Sequence, residues 1–454
     1  NYKRENSLMD YDDLLLYLKF LLEDHENIQK KLSNQYKYIM VDEYQDTNTL
    51  QADIIKLLAK EHNNVMAVGD DAQSIYSFRG ANYRNIMDFP KLFENTKIIK
   101  LEQNYRSTQN ILELTNTIIS RAKEKYAKTL FSDIKSDTKP ALICAKDSQM
   151  EADFICQRVL ELLDEDVELN DICVLTRNAR MSFNLEIELS KRAIPFQKFG
   201  GPKFMETAHI KDIIAHLRVL LNPDDEVSMS RILLLLKGVG TQTVNNVLPS
   251  LKNNTEFDVK LLPIKKTTSI EPLFKILKKL QSSNKKLTDL VREIIEYYRP
   301  ILKDKYDDYQ KREKDLEHFE YLSTQYSKLE NFLSDLALEP PDKSVEGMYK
   351  NNIKDECLTI STIHSAKGLE WDSVFIIGAV DGRFPSAYSF NSPEELDEEL
   401  RLMYVATTRA KNNLYITYPV NMYDYSTNMV LTKPSRFLDN IDTDILEIWD
   451  ICES

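Results

Sequence analysis

Short β-branched runs ending in polar turns recur along this 454-residue chain, with amphipathic helical stretches between most of them. That alternation constrains the fold more than any other feature, because strands separated by helices join into parallel sheets whose ligand sites lie beyond the carboxyl ends of the strands. The runs fall at 38–41, 65–68, 98–101, 141–145, 172–175, 358–362, 373–377 and 414–417, and the helical stretches between them include 49–60, 149–163 and 181–192. From 208 to 352 the rhythm stops. Helical patterns take over at 210–221, 228–236, 271–280 and 287–298, followed by a long charged stretch over 304–336, until Pro340-Pro341 breaks the pattern. The expected fold is therefore α/β: two parallel-sheet lobes, with a helical subdomain inserted in the second.

Size and composition are compatible with this. The chain is too long for one compact core, and 42% hydrophobic with 29% charged residues is globular rather than disordered. The longest apolar run considered, 232–236, is far short of a bilayer span, and the first residues lack the apolar stretch of a signal peptide. Five cysteines (Cys144, Cys156, Cys173, Cys357, Cys452) show no repeating spacing and no zinc pattern, which fits a reduced cytoplasmic compartment. A net charge of −13 argues mildly against a generic nucleic-acid binder. It leaves room for a local groove of basic and aromatic residues.

Five strings carry the chemistry. The first strand delivers Asp42-Glu43 within Val-Asp-Glu-Tyr-Gln-Asp-Thr-Asn (41–48). A carboxylate there can hold Mg²⁺, often through water, while its neighbour polarises an attacking water. A bare acidic pair would more often only solvate a turn; the whole string points to a site. The second strand leads into 68–81, where Gln73 can hydrogen-bond a γ-phosphate or its attacking water. In the same segment Tyr76, Phe78 and Arg79 offer stacking faces and a cation to single-stranded bases. After 98–101 comes Gln103-Asn104-Tyr105-Arg106-Ser107-Thr108: Tyr105 can stack on adenine and Arg106 can reach phosphates, while Ser107 or Thr108 can also cap a helix.

Further on, in 359–371, the small hydroxyls of Ser361 and Thr362 suit a sugar-phosphate backbone, beside His364. Gly368 permits close approach, and Glu370 can accept from a ribose hydroxyl. In 399–411 helical spacing places Arg401, Tyr404 and Thr408 near one face and Val405 and Arg409 near another. Arg409 is the candidate arginine finger, a planar and permanently charged donor for the transition state.

In this order the strings resemble motifs II to VI of the UvrD/Rep/PcrA helicases of superfamily 1, and the segment from Met9 through Leu15 resembles what precedes motif II there. The resemblance implies ATP-driven 3′-to-5′ translocation on single-stranded DNA, with Mg²⁺, across a cleft between two RecA-like lobes, and places the helical insertion as the regulatory 2B subdomain. It further implies a single-strand/duplex junction as substrate, possible repair or replication partners, no membrane, and a monomer or weak dimer. Domain limits follow: 1–97 for part of lobe 1A, 98–207 and 353–454 for lobe 2A, and 208–352 for the insertion. Inside the insertion Lys237-Gly238-Val239-Gly240-Thr241 resembles the family's turn against duplex DNA, since glycines before a helix expose N–H groups to phosphate; an ordinary helix-joining turn reads equally well. The Lys-rich stretch 275–286 reads as a solvated helix face more readily than a duplex contact. Residues 200–204 and 210–212 resemble the junction between lobe and insertion.

No Gly-x-x-x-x-Gly-Lys-Ser/Thr string is present, and the family's earlier motifs are missing too. Truncation ahead of Asn1 accounts for every absence at once, so the chain as it stands is expected not to turn over ATP. Two other readings stay open: the motor of a helicase–nuclease complex, and a catalytically silent DNA-binding module.

Overall fold

A computed structural model describes residues 3, 8–93, 95–201, 203–251, 257–259, 262, 268–283, 285–337, 356–424 and 429–452. The expected break at Pro340-Pro341 and the end of the insertion at 352 lie outside the described residues, as does Pro202. The chain divides into two compact units. One comprises residues 1–151, 161–178 and 360–454, the other 152–160 and 179–359. Residues 179–207, assigned from sequence to lobe 2A, thus fall in the second unit.

The first unit opens with α1 (Tyr11–Asp24) and α2 (Glu26–Gln35), then β1 (Ile39–Val41), α3 (Thr49–Ala59), β2 (Val65–Ala67) and α4 (Arg84–Leu92). β1 and β2 pair in parallel, Ile39 opposite Val65 and Val41 opposite Ala67. A capping box starts α3: the Asn48 side chain accepts from the Gln51 N–H at 2.8 Å, and the Gln51 side chain accepts from the Asn48 N–H at 2.9 Å. Such a cap contributes about 1 kcal/mol. Tyr44, Ile86, Phe89 and Phe93 form the small core beneath these strands.

The larger sheet follows α5 (Gln109–Ile119). The part of this seven-stranded sheet that lies wholly or partly in the first unit uses β3 (Ala141–Ala145), β4 (Ile172–Thr176), β6 (Leu358–Thr362), β7 (Trp371–Ile376), β8 (Ala410–Pro419) and β11 (Glu447–Asp450) in the order β11-β3-β8-β7-β4-β6. β9 (Met422–Asp424) and β10 (Met429–Leu431) form a separate antiparallel pair. The pairings β11–β3, β3–β8, β8–β7 and β7–β4 are all parallel. β3 and β4 are buried at every position, as strands covered on both faces must be. α5 and α15 (Pro393–Thr407) pack against the sheet and share its core with Cys173, Leu175, Val374 and Ile416. The parallel α/β expectation is met.

The stretch 98–101 differs from expectation: it forms no strand, and Ile99 and Leu101 are exposed. Its β-branched pattern is present, but among the described residues no neighbouring strand supplies a ladder, only one isolated bridge between Gln103 and Phe131. Propensity without a partner edge does not make a strand.

The second unit is mainly helical. It includes residues 152–160 of α6 (Ser148–Asp164), then α7 (Phe183–Lys191), β5 (Phe196–Phe199), α8 (Ala208–Leu221), α9 (Glu226–Leu234), α10 (Thr241–Leu251), α11 (Glu271–Gln281), α12 (Leu287–Lys305), α13 (Tyr309–Ser323) and α14 (Leu329–Ala337). The charged stretch over 304–336 is thus the end of α12 and two further helices. A polar hub locks the unit: buried Asp212 accepts from Tyr298 Oη at 2.6 Å and from Arg231 Nε at 2.7 Å. Phe183 and Phe204 stack at 4.0 Å between centroids in the core cluster that also holds Tyr298. No described helix is long and apolar enough to cross a membrane.

Candidate nucleotide and nucleic-acid site

The two short parallel strands of the first unit end side by side, and their ladder continues past the strands: Val68 N donates to Val41 O at 2.8 Å and Tyr44 N to Val68 O at 3.0 Å. This holds Asp42-Glu43 against Gly69-Asp70. Glu43 takes a left-handed backbone, φ +50°, a conformation that costs a non-glycine residue about 1 kcal/mol or more and gathers at functional sites. Asp42 and Glu43 are both exposed, and the Glu43 N–H donates to Asp42 Oδ1 at 2.9 Å.

Buried Gln45 ties the two turns together. Its amide nitrogen donates to Glu43 Oε2, and its oxygen accepts from the Asp70 N–H at 3.1 Å. Gly69 is required beside it, since a Cβ there would lie 2.4 Å from Gln45 Oε1. Asp70 then becomes a hub, with Oδ2 accepting from Gln73 Nε2 at 3.0 Å and from Tyr404 Oη at 3.2 Å, while Lys128 pairs with Oδ1. Burial and the neighbouring Asp70 carboxylate push the Tyr404 phenol well above its ordinary range.

Lys367 links the same turns to the 359–371 string. Its Nζ donates to Asp46 and, at 2.9 Å, to the Gln73 carbonyl. It also lies 3.8 Å from Glu43 Oε2 and 5.0 Å from the centre of the Tyr76 ring. Burial pushes the Asp46 carboxyl upward, partly offset by Lys367. Asp46 Oδ1 is buried without a hydrogen-bond partner among the described residues. An orphaned oxygen in the string that also carries exposed Asp42 and Glu43 suits a hydrated hard cation.

Around the other end of the site, Arg106 pairs with Glu370 and donates from Nη1 to the Thr408 carbonyl at 3.2 Å. Glu370 also meets Lys411 at 3.0 Å, and Lys411 first, then Arg106, holds its carboxyl below the usual range. Tyr105 is 80% exposed, a free stacking face. Arg409 is buried, and its guanidinium donates to Val405 O, Leu369 O and Thr408 Oγ1 at 3.0–3.1 Å. Burial, then the Arg106 charge, lowers it to about 10. Gly368 is exposed at φ +89°, with open space where a Cβ would stand.

Beyond Gln73 the same segment carries the aromatics. Phe78 is 64% exposed and meets the His364 ring edge-on at 5.2 Å; Tyr76 lies 6.1 Å from Phe78 and donates from its hydroxyl to the His364 carbonyl at 2.9 Å. The Arg79 guanidinium sits 5.4 Å from the Tyr76 centroid and 5.5 Å from that of Phe78. Burial, then the Arg177 and Arg79 charges, lowers His364 to about 4, so the ring is neutral at pH 7. The Thr362 hydroxyl bonds Ser365 Oγ at 3.0 Å on a half-exposed turn, whereas Ser361 is buried with its hydroxyl on the Thr362 carbonyl. In the helical unit, Gly238 (φ +80°) and Gly240 are exposed, with open space where a Cβ would stand on either, directly before α10.

Gly238 and Gly240 lie in the second unit, whereas most of the sequence-selected residues of the first unit form two groups. Glu43, Gln73, Arg106, Glu370 and Arg409 are joined through Gln45, Asp70, Tyr404 and Thr408; Tyr76, Phe78, Arg79 and His364 form the second. Ser361 joins neither through its side chain. Sequence reasoning assigned no role to Gln45, Asp70, Lys367 or Tyr404. All four stand inside the quoted strings, but their partners lie up to 334 positions away.

Residues 1–94 match the UvrD/REP helicase N-terminal domain, and residues 99–421 match the UvrD-like helicase C-terminal domain. A probable DNA helicase II homologue of Mycoplasma capricolum is 34% identical over 98% of this chain and 63% of its own length. The Rep helicase of Buchnera aphidicola is 33% identical over 98% of this chain and 71% of its own length, and the PcrA helicase of Staphylococcus epidermidis is 32% identical over 97% and 63%. The chain thus spans about two thirds of the length of these relatives. With both domain families matched in sequence order and the motif strings gathered at adjoining turns, the chain belongs to the UvrD/Rep/PcrA-type DNA helicase family.

Proposed function

We propose that this chain carries the hydrolysis-sensing and strand-holding parts of an ATP-dependent 3′-to-5′ DNA translocase acting at single-strand/duplex junctions in repair or replication. The supporting observation is that one segment, 70–79, has Gln73 hydrogen-bonded at the carboxylate end and Tyr76 and Phe78 against His364 at the other. A shift in one is felt by the other.

In this reading Glu43 polarises the attacking water and Gln73 senses the γ-phosphate. Arg106 and Arg409 neutralise charge developing on the phosphates, Tyr105 stacks on adenine, and Glu370 and Gly368 border the ribose. Asp42 would hold Mg²⁺, which when bound neutralises phosphate charge. Arg409 has to leave the Leu369 and Val405 carbonyls to reach a phosphate, so its engagement is a conformational step. Tyr76, Phe78, Arg79, His364 and Thr362 hold the strand, with stacking contributing about 1–3 kcal/mol per base. The Gly238–Gly240 turn meets duplex phosphate. No Gly-x-x-x-x-Gly-Lys-Ser/Thr string occurs in the 454 residues, and in this reading the phosphates are gripped by residues outside them. The work is cytoplasmic and done by a monomer or weak dimer.

The test is unwinding by the protein expressed from its complete reading frame, on duplexes with either a 3′ or a 5′ single-stranded tail. Opening of the 3′-tailed duplex alone supports the reading; opening of the 5′-tailed duplex alone overturns the polarity.

A further inference from the structure

We propose that Cys144, Asp450 and Cys452 form a binding site for one thiophilic divalent cation of the zinc class. It lies on the edge of the larger sheet, on residues that the nucleotide and strand roles do not use. β11 pairs in parallel with β3, Asp450 opposite Cys144, and the ladder runs on by one residue, Ile451 N donating to Cys144 O at 3.1 Å. This register leaves Cys452 Sγ 3.6 Å from Cys144 Sγ. The two sulfurs and a carboxylate oxygen of Asp450 all lie within 4.8 Å of one another.

The spacing decides the chemistry. Tetrahedral zinc binds thiolate at about 2.3 Å, which puts two sulfur ligands about 3.8 Å apart. A disulfide needs about 2.05 Å, well inside the observed separation, and both cysteines are free thiols. The observed 3.6 Å is close to the metal-bridged separation. Cys144 is buried on β3, while Asp450 is exposed and Cys452 half-buried, so an ion can enter from solvent and keep water as fourth ligand. The Cys452 N–H donates to Asp450 Oδ1 at 2.9 Å, which orients the carboxylate. Binding balances as one divalent cation plus two thiols and one carboxylate giving the three-ligand complex and two protons released to solvent. The ligands come from positions 308 residues apart, which is why no zinc spacing is visible in the sequence.

The experiment uses the reduced, chelator-stripped chain, titrated with Co²⁺ as the optical probe and then with Zn²⁺ as competitor. One equivalent of Co²⁺ is expected, with a thiolate charge-transfer band and the visible spectrum of a tetrahedral site, displaced by Zn²⁺ and accompanied by a raised melting temperature. Cys452→Ser should weaken binding by at least about 100-fold, the upper end of what losing a mere outer partner costs. Asp450→Asn, a milder change for folding, should weaken it and alter the visible spectrum, and Cys357→Ser should leave it unchanged. Absence of a thiolate band in the reduced wild type, equal affinity in Cys452→Ser, or a Cys144–Cys452 disulfide re-forming without metal would each overturn the proposal.

Discussion

Lys367 Nζ donates to the main-chain carbonyl of Gln73 at 2.9 Å, and the same ammonium group pairs with Asp46. A cation from the 359–371 turn is thereby seated between the carboxylate turn and the segment that carries Tyr76 and Phe78. Its side chain is only 8% exposed and that of Asp46 22%, so the pair is poorly screened.

Removing the cation alone strands a partly buried carboxylate. Lys367→Met should lower stability by about 2–3 kcal/mol. Asp46→Asn in the same background should recover part of that loss, with a coupling of at least about 1 kcal/mol in a double-mutant cycle by denaturant unfolding. Strict additivity would show that the contact carries no energy.

Gly69 is needed for space rather than for its backbone angles. Gly69→Ala drives a Cβ toward Gln45 Oε1 at 2.4 Å and Ile86 Cδ1 at 2.9 Å, and should cost about 1–3 kcal/mol. Adding Gln45→Ala relieves the first clash, so the double variant should regain stability. It should remain defective in hydrolysis, because the Glu43–Gln45–Asp70 bridge is gone. Recovery of both properties together would remove Gln45 from the site.

His364 should behave as a neutral ring. Its folded value of about 4 lies below the ordinary 6.5. Folding therefore gains stability from it that is fully present above about pH 6.5 and is lost as pH falls toward 4. A proton NMR titration should show no His364 transition from about pH 5.5 to 8. A midpoint near the ordinary value would mean that the ring is not packed against Phe78 in solution.

Glu151 gives the opposite sign. Its carboxyl is fully buried, accepting from Thr417 Oγ1 at 2.6 Å and Gly378 N at 2.9 Å, and burial raises it above the ordinary carboxylate range. The stability it confers is present below the unfolded value of about 4.3 and is lost as pH rises through the folded one. Glu151→Gln keeps both acceptor contacts and should flatten the fall in stability over that window, read from melting temperatures at a series of pH values. A parallel pH profile in the two proteins would contradict this.

Much of this was legible in the chain itself. The runs at 141–145 and 172–175 are apolar throughout, the mark of strands covered on both faces, and both became central strands. Helical spacing puts Arg401, Tyr404 and Thr408 near one face; Arg401 Nε reaches Ser74 O at 2.8 Å and Tyr404 Oη reaches Asp70, while the Thr408 hydroxyl turns to the Val405 carbonyl of its own helix. The 98–101 run misled because a β-branched pattern states a preference and not a partner. β11 went unseen because Glu447-Ile-Trp-Asp450 is short and polar at both ends, and its strand identity rests on pairing with β3. Lys367 was passed over for a similar reason. Nothing local to Ser-Ala-Lys-Gly says that its cation will meet an aspartate 321 residues earlier.

Hydrolysis stimulated by single-stranded DNA tests most directly whether these side chains surround one nucleotide. In the protein expressed from its complete reading frame, Glu43→Gln and Arg409→Ala should each lower turnover by about 10³-fold or more. Single-strand binding should stay within about threefold of wild type, because neither residue touches the aromatic cluster. Wild-type turnover in both variants would contradict the assignment of Glu43 and Arg409 to a common nucleotide site.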